Sequence, residues 1–354
     1  MNGIKRHSVA KAEGADIDVS KLVIEQTKNP GTIKSPNEIV FGRNFTDHML
    51  SIEWNTKDGW ATPHIIPYQN LSLDPATCVF HYAFECFEGM KAYKGKDGKL
   101  RLFRPDKNMA RFNKSARRIS LPTFQPEALI DLIANNSGYQ PSKLCNGVCH
   151  CISCWSVLSN WVKAISLEAT NYAVRAWPGG VGDKKLGANY APCVVPQADA
   201  ASRGHQQNLW LFGEEEYVTE VGTMNMFAAI RSKDGQKELV TAPLDGTILE
   251  GVTRDSVLAL ARQRLVPEGW KVSERKYTMK ELEEASLEGR LIEAFGAGTA
   301  AIVSPIRTIS WRGKELGCGL SENEESGEIA MKMKEWMEAI QYGDEPHEWS
   351  YIIE

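Results

Sequence analysis

No apolar run in this chain approaches the ~18 residues that a membrane-spanning helix requires, so the sequence predicts none. Neither sign of charge is in surplus. Lys and Arg number 41, Asp and Glu 45, and the two are interspersed, for a net charge of −4. That leaves no basic stripe for nucleic acid or an anionic membrane. Residues 1–21, MNGIKRHSVAKAEGADIDVSK, lack the apolar centre of a secretory signal. They carry Glu13, Asp16 and Asp18 against the single arginine Arg6, whereas mitochondrial transit peptides are Arg-rich and poor in acids. A cytosolic location is expected, with the mitochondrial matrix as the alternative.

Cysteine is scarce and unevenly placed. Four of the eight fall in KLCNGVCHCISCW, where Cys145, Cys149, Cys151 and Cys154 flank His150. Thiolate and imidazole at such spacings are zinc ligands, so a metal module is one reading of this stretch. Cys78, Cys86, Cys193 and Cys318 stand alone, the thiol usage of an intracellular protein and not a disulfide framework. At 354 residues, 42% hydrophobic and 24% charged, the chain reads as a soluble globular protein of two domains.

Residues 1–35 are polar and read as a loosely held arm. HMLSIEWNTKDGW then alternates, with a hairpin signal at Asp58-Gly59. An apolar run follows, then two strands joined at Asp97-Gly98. RPDKNMARFNKSARRISLP reads as an amphipathic helix with Met109, Phe112 and Ala116 on one face, and PEALIDLIANN as another. GHQQNLWLFGEEEYVTEVGTMNMFAAI reads as strand, turn, strand. A helix is expected near Val252, and a capping box at Thr278 with Glu281. LIEAFGAGTAAIVSPI reads as a strand, a glycine turn and a second apolar segment. This mixed order predicts irregular α/β or α+β domains.

Three stretches could carry chemistry. In GGVGDKKLGANYAP, Lys185 lies among small residues, five before Tyr190. A lysine in a tight, dry pocket loses its proton and condenses with an aldehyde; the plainer reading is a surface loop. In VTEVGTMN, Glu220 sits among apolar residues and needs a cationic partner. A pyridinium nitrogen would serve, as would an ordinary salt bridge. Gly251-Val252-Thr253 opens a helix whose free N–H groups favour phosphate. Thr299 adds a hydroxyl after a glycine turn, and Arg111 a forked cation. Together they describe a pyridoxal phosphate site.

The blocks FTDHML, FECFEGMKAYKG, LFRPDKNMARFNKSARR, RAWPGGVGDKKLGANYAP, VTEVGTMN, ILEGVTRDS, EAFGAGTAAIVSPI and IQYGDEPHEW resemble the branched-chain amino acid aminotransferases, fold-type IV pyridoxal phosphate enzymes. The resemblance implies two α/β domains with the cofactor between them: an arm at 1–37, a small domain at 38–164 and a large cofactor domain at 165–354. It implies a homodimer, and ping-pong transfer of the amino group of leucine, isoleucine or valine to 2-oxoglutarate. Lys185 would form the Schiff base and then move the proton. Tyr190 would face the phenolic oxygen, Glu220 the pyridine nitrogen and Thr223 the ring. Arg111, Val252, Thr253 and Thr299 would hold the phosphate, with help from Arg175. Phe45, Tyr82 and Phe87 would wall the side-chain pocket and Ala300 offer its backbone; Phe84 and Phe103 fit plain packing. A D-amino acid transaminase, an aminodeoxychorismate lyase and a catalytically impaired cofactor-binding homologue are the alternatives.

The pattern departs from the family twice. Ala301 and Ser304 stand where some vertebrate members carry a redox Cys pair. Residues 135–165 are far fewer than the family places there, and a pocket strand, an interdomain loop and a loop reaching the partner subunit are not found. The small domain is therefore expected to be truncated, exposing apolar surface that lowers solubility. KLCNGVCHCISCWSVLSNWVKA can be encoded so that a one-base shift reads SSAMVSAIASPVGPYYQTGLKP, which holds the family's SPVGPYY. Residues from about 143 to 165 are accordingly expected to be translated out of frame, and the cysteine cluster with them.

Overall fold

The structure, a computed structural model, describes residues 14–32, 43–139, 147–150, 153–156 and 163–353, with the backbone alone from 136 to 156. The cysteine cluster, and with it the zinc reading, therefore lies outside the described residues, either wholly (Cys145, Cys151) or in its side chains (Cys149, His150, Cys154).

The N-terminal layer is a five-stranded antiparallel sheet in the order Ser350–Ile353, Leu100–Phe103, Gly89–Lys94, Gly147–His150, Ser153–Ser156. Asp97-Gly98 makes the expected turn, with Gly98 at φ 79°. The helices Pro105–Arg118 and Pro126–Tyr139 cover this sheet through Met109, Leu132 and Ile133, which pack with Met90, Ala92 and Leu102. Two expectations are corrected here. The arm is not wholly loose. Ile17 is buried in this core, and Val23–Ile24 pairs in parallel with His64–Pro67. The last strand, Ser350–Ile353, returns to pair with Leu100–Phe103, so the sheet draws on residues beyond 164.

The second layer is a nine-stranded sheet. GHQQNLWLFGEEEYVTEVGTMNMFAAI makes three strands, not two: Gln207–Phe212, Tyr217–Val221 and Met224–Arg231. Its apolar pattern runs on across the second turn, which rests on Gly222 at φ 54°, a conformation open to glycine. Register Glu220↔Asn225 and Val221↔Met224 then closes a ring through Tyr217–Val221, Gln207–Phe212, Ile165–Thr170, Ile302–Trp311, Leu291–Gly298 and Met224–Arg231. Alternation divides the two faces. Met226, Ala228 and Ile230 pack with Leu167, Leu209 and Ile306. Phe227 and Ala229 pack with Phe295 and with the helices Val252–Arg264 and Glu328–Tyr342. Thr278 caps its helix as expected, accepting from Glu281 N at 3.1 Å.

Buried Arg104 clamps the layers together. Its guanidinium donates to Asp255 at 2.6 Å and to Ser256 Oγ at 2.8 Å. The clamp presses the start of the Val252–Arg264 helix against the first sheet, and a cavity opens at that seam.

Candidate active site

Lys185 is fixed by its backbone. Its N–H donates to Ser115 Oγ at 3.0 Å, its C=O accepts from Phe87 N at 3.0 Å, and Cys86 bridges Leu186 beside it. Asn189 closes the loop by donating to Lys184 O at 2.8 Å. The half-buried ammonium lies 4.7 Å from the Phe87 ring centroid and 5.8 Å from that of Tyr190. Burial, with Arg111 next, pulls its pKa down to about 8. Lys184, its neighbour, pairs instead with Asp183. Two lysines adjacent in sequence therefore face different surroundings. Burial also pushes Tyr190 up to about 12, so its hydroxyl stays a hydrogen-bond donor.

One end of the cavity suits an anion. Gly251, in extended conformation, opens the Val252–Arg264 helix with no side-chain cap. The first N–H groups of such a helix have no partner inside it, and the positive dipole end adds to the attraction. Thr253, Thr299 and Arg111 border the same space. Lys91, buried in the first sheet, donates to Ala300 O and holds the turn that carries Thr299.

Glu220 stands against the cavity wall through Asn225 and Leu249. Its Oε1 accepts from Asn225 Nδ2 at 3.1 Å and Leu249 N at 2.9 Å. Oε2 lies 2.8 Å from Arg175 Nη1, yet no hydrogen bond of good geometry reaches that buried oxygen. Burial pushes the carboxyl up, and Arg175 opposes it.

Lys185, Tyr190, Arg111, Thr223, Val252, Thr253, Thr299, Phe87 and Ala300 all border one cavity of about 260 Å³. Glu220 stands behind Asn225 and Leu249, which also border it. Three expectations need correcting. Arg175 lies at the Glu220 end, not with the phosphate ligands, and supplies the cation the buried carboxylate needs. Arg111 lines the cavity and is also held by Glu88, a residue not singled out in the sequence. Tyr82 is 78% exposed on the short helix Cys78–Tyr82, with His81 as its ring neighbour. Phe45 is 43% exposed and stacks on Tyr68 at 5.0 Å. Of the aromatic wall, Phe87 alone borders the cavity. Asn225 and Lys91 were also missed, although EVGTMN and GMKAY contain them. A buried amide that donates to both Glu220 and Leu249 O has no signature in a single sequence.

The sequence profile described as "Amino-transferase class IV" matches residues 85–309, a span holding every cavity residue named above. The chain belongs to that family. Among its relatives, the cytosolic branched-chain-amino-acid aminotransferase of Saccharomyces cerevisiae is 52% identical over 96% of this chain and 98% of its own length. The mitochondrial one of the same yeast is also 52% identical, over 94% of this chain and 92% of its own. The cytosolic alignment runs to 369 positions, more than the 354 residues here, so that relative has residues with no counterpart in this class IV chain. The fold agrees with that of the Thermobaculum terrenum branched-chain amino acid aminotransferase crystallised in its PLP form. Its TM-score is 0.69 at 20% identity, covering 82% of this chain and 96% of that one.

The residues fit pyridoxal phosphate. The uncapped helix start with Thr253 and Thr299 suits its phosphate, Glu220 Oε2 keeps hydrogen-bonding capacity behind Asn225 and Leu249, and Lys185 lines the same cavity. Thr299→Val is expected to weaken cofactor binding roughly 10- to 100-fold, the worth of one hydrogen bond to a charged group. Equilibrium titration of the cofactor measures it.

Proposed function

We propose that this chain is a pyridoxal phosphate-dependent transaminase that moves the amino group of leucine, isoleucine or valine to 2-oxoglutarate. The observation that carries the proposal is one cavity lined by a half-buried lysine and an uncapped helix start, with a buried carboxylate behind its wall. The relatives at 52% identity supply the substrate class.

Bound pyridoxal phosphate would supply an aldehyde that condenses with amines and a ring that draws in negative charge. The chain's own groups do the rest. Lys185 Nζ, neutral in a useful fraction near pH 8, takes the proton from the substrate α-carbon. Tyr190 donates a hydrogen bond from its hydroxyl, and Glu220 holds negative charge opposite the helix start. Phe87 offers an apolar wall, and the Ala300 backbone a polar edge. Both half-reactions use this one cavity.

The pH dependence has a definite sign. A lysine lowered to about 8 gains neutral amine as pH rises through that value. Cofactor uptake by the cofactor-free chain is expected to accelerate over the same interval and then level off. Stopped-flow absorbance measures it.

A substrate panel tests the reaction. L-leucine, L-isoleucine and L-valine should yield 2-oxo acids, while D-alanine and aminodeoxychorismate should not. Activity confined to the latter pair would overturn the assignment.

The proposal includes a homodimer in the cytosol. Phe80 and Tyr82, 61% and 78% exposed, and Val194 and Val195, 65% and 67% exposed, present apolar surface of the kind a second copy covers. Sedimentation showing only monomer at all concentrations would contradict this. We also hold that residues from about 143 to 165 are translated out of frame, in keeping with a relative that aligns beyond this chain's length. A transcript whose codons cannot yield SPVGPYY in a shifted frame would sink that idea.

A further inference from the structure

We propose that Glu88 is the positioning residue of this site: it aims Arg111 at the cavity's anion and balances the arginine's charge at Lys185. The inference rests on the reading that the cavity holds a phosphate-bearing cofactor.

Glu88 is 1% exposed, and both oxygens of its carboxylate accept from protein donors. Oε1 accepts from Gly89 N at 2.8 Å, Asn108 Nδ2 at 3.1 Å and Arg111 Nη2 at 2.5 Å; Oε2 accepts from Arg111 Nε at 2.9 Å. Asn108 is tied in turn to Gly89 O at 2.9 Å. The fork between Glu88 and Arg111 is thus bidentate, the geometry that fixes a guanidinium plane as well as its place. Arg111 Nη1 donates to Glu250 O at 2.9 Å, two residues before the helix start at Val252. A guanidinium has five N–H groups. Three are spent on these partners, and the remaining two belong to Nη1 and Nη2 of a residue that lines the cavity together with Val252, Thr253 and Thr299. Without Glu88 the arginine would keep its charge but not this plane.

The same short segment reaches the lysine. Phe87 donates to Lys185 O, and Cys86 bridges Leu186. Five groups face the Lys185 ammonium. Arg111 and Arg175 push its pKa down, Glu88 and Glu220 push it up, and Tyr190 stays neutral. Glu88 therefore opposes what Arg111 does to the lysine. Glu88 and Arg111 are both buried, so solvent screens this balance poorly.

Glu88→Gln keeps the shape but turns an acceptor into a donor facing Arg111. Two measurements on this variant test the proposal. The first is the dissociation constant for pyridoxal phosphate, with inorganic phosphate as a second probe. The second is the pH midpoint of Lys185 modification in the cofactor-free chain, followed by mass spectrometry. Glu88→Gln should weaken both anions at least tenfold and move the midpoint to lower pH. If the single variant fails to fold, Glu88→Leu with Arg111→Met replaces the buried pair by apolar groups, a change such sites tolerate. That double variant should return the midpoint to the parent value while phosphate affinity stays low. Unchanged affinity or an unchanged midpoint in Glu88→Gln overturns the role. So does a double variant that regains phosphate affinity. A parent chain that fails to bind pyridoxal phosphate at all would instead refute the cofactor reading.

Discussion

Lys185→Ala is expected to lower turnover at least ~10³-fold while leaving cofactor affinity within about tenfold of the parent. Proton transfer by a positioned base contributes ~10²–10⁴-fold, and loss of the condensing amine adds to it. Affinity should survive because the anion contacts come from other elements: the helix start at Val252, the turn at Thr299 and the fork at Arg111. Lys184→Ala is the control. Its ammonium pairs with Asp183 and does not line the cavity, so turnover should stay within about threefold even if the lost pair costs some stability. Steady-state rates and cofactor titrations on both variants check this. Comparable losses at 184 and 185 would mean that the loop, and not the amine, matters.

Glu220→Gln is expected to cost turnover ~10²–10³-fold and to lower thermal stability as well. Breaking a buried ion pair from one side costs about 3–5 kcal/mol, because the remaining charge is stranded. Arg175 would be that charge, at 3% side-chain exposure. The two effects have separate causes and can be separated. Glu220→Gln with Arg175→Met removes both charges, so stability should largely return. Turnover should not, because the carboxylate opposite the anion end is still missing. Melting temperature and rate, measured on the single and double variants, decide between the roles. Recovery of both together would reduce Glu220 to a structural ion pair.

What the sequence made legible follows from how each feature is encoded. Lys185, Tyr190, Thr253 and Thr299 sit in contiguous motifs with small residues around them, and the structure gathers all four on one cavity. Period-two alternation gave the strands, and capping chemistry gave the helix start at Thr278. The turn at Gly222 was hidden because its flanks are apolar on both sides. Yet it is this turn that sets Glu220 opposite Asn225 and brings Thr223 to the cavity. Glu88, Lys91 and Arg175 were missed or misplaced because their roles are long-range. Glu88 meets Arg111 from a different element, Lys91 meets Ala300 across the seam, and Arg175 meets Glu220 across a loop. Aromatic residues near a motif, such as Phe45 and Tyr82, say nothing of which way they face. That is settled by packing, and here it leaves both at the surface.

The central claim is that this chain, with its own residues 135–165, moves an amino group through one lysine in one cavity. The most direct measurement is the visible spectrum of the purified, cofactor-loaded chain during addition of L-leucine and then 2-oxoglutarate. Leucine should bleach the band of the lysine-bound cofactor and release one branched 2-oxo acid per site, and 2-oxoglutarate should restore the band with release of glutamate. A band that forms normally but is unmoved by leucine would contradict the claim and leave a cofactor-binding protein without the reaction.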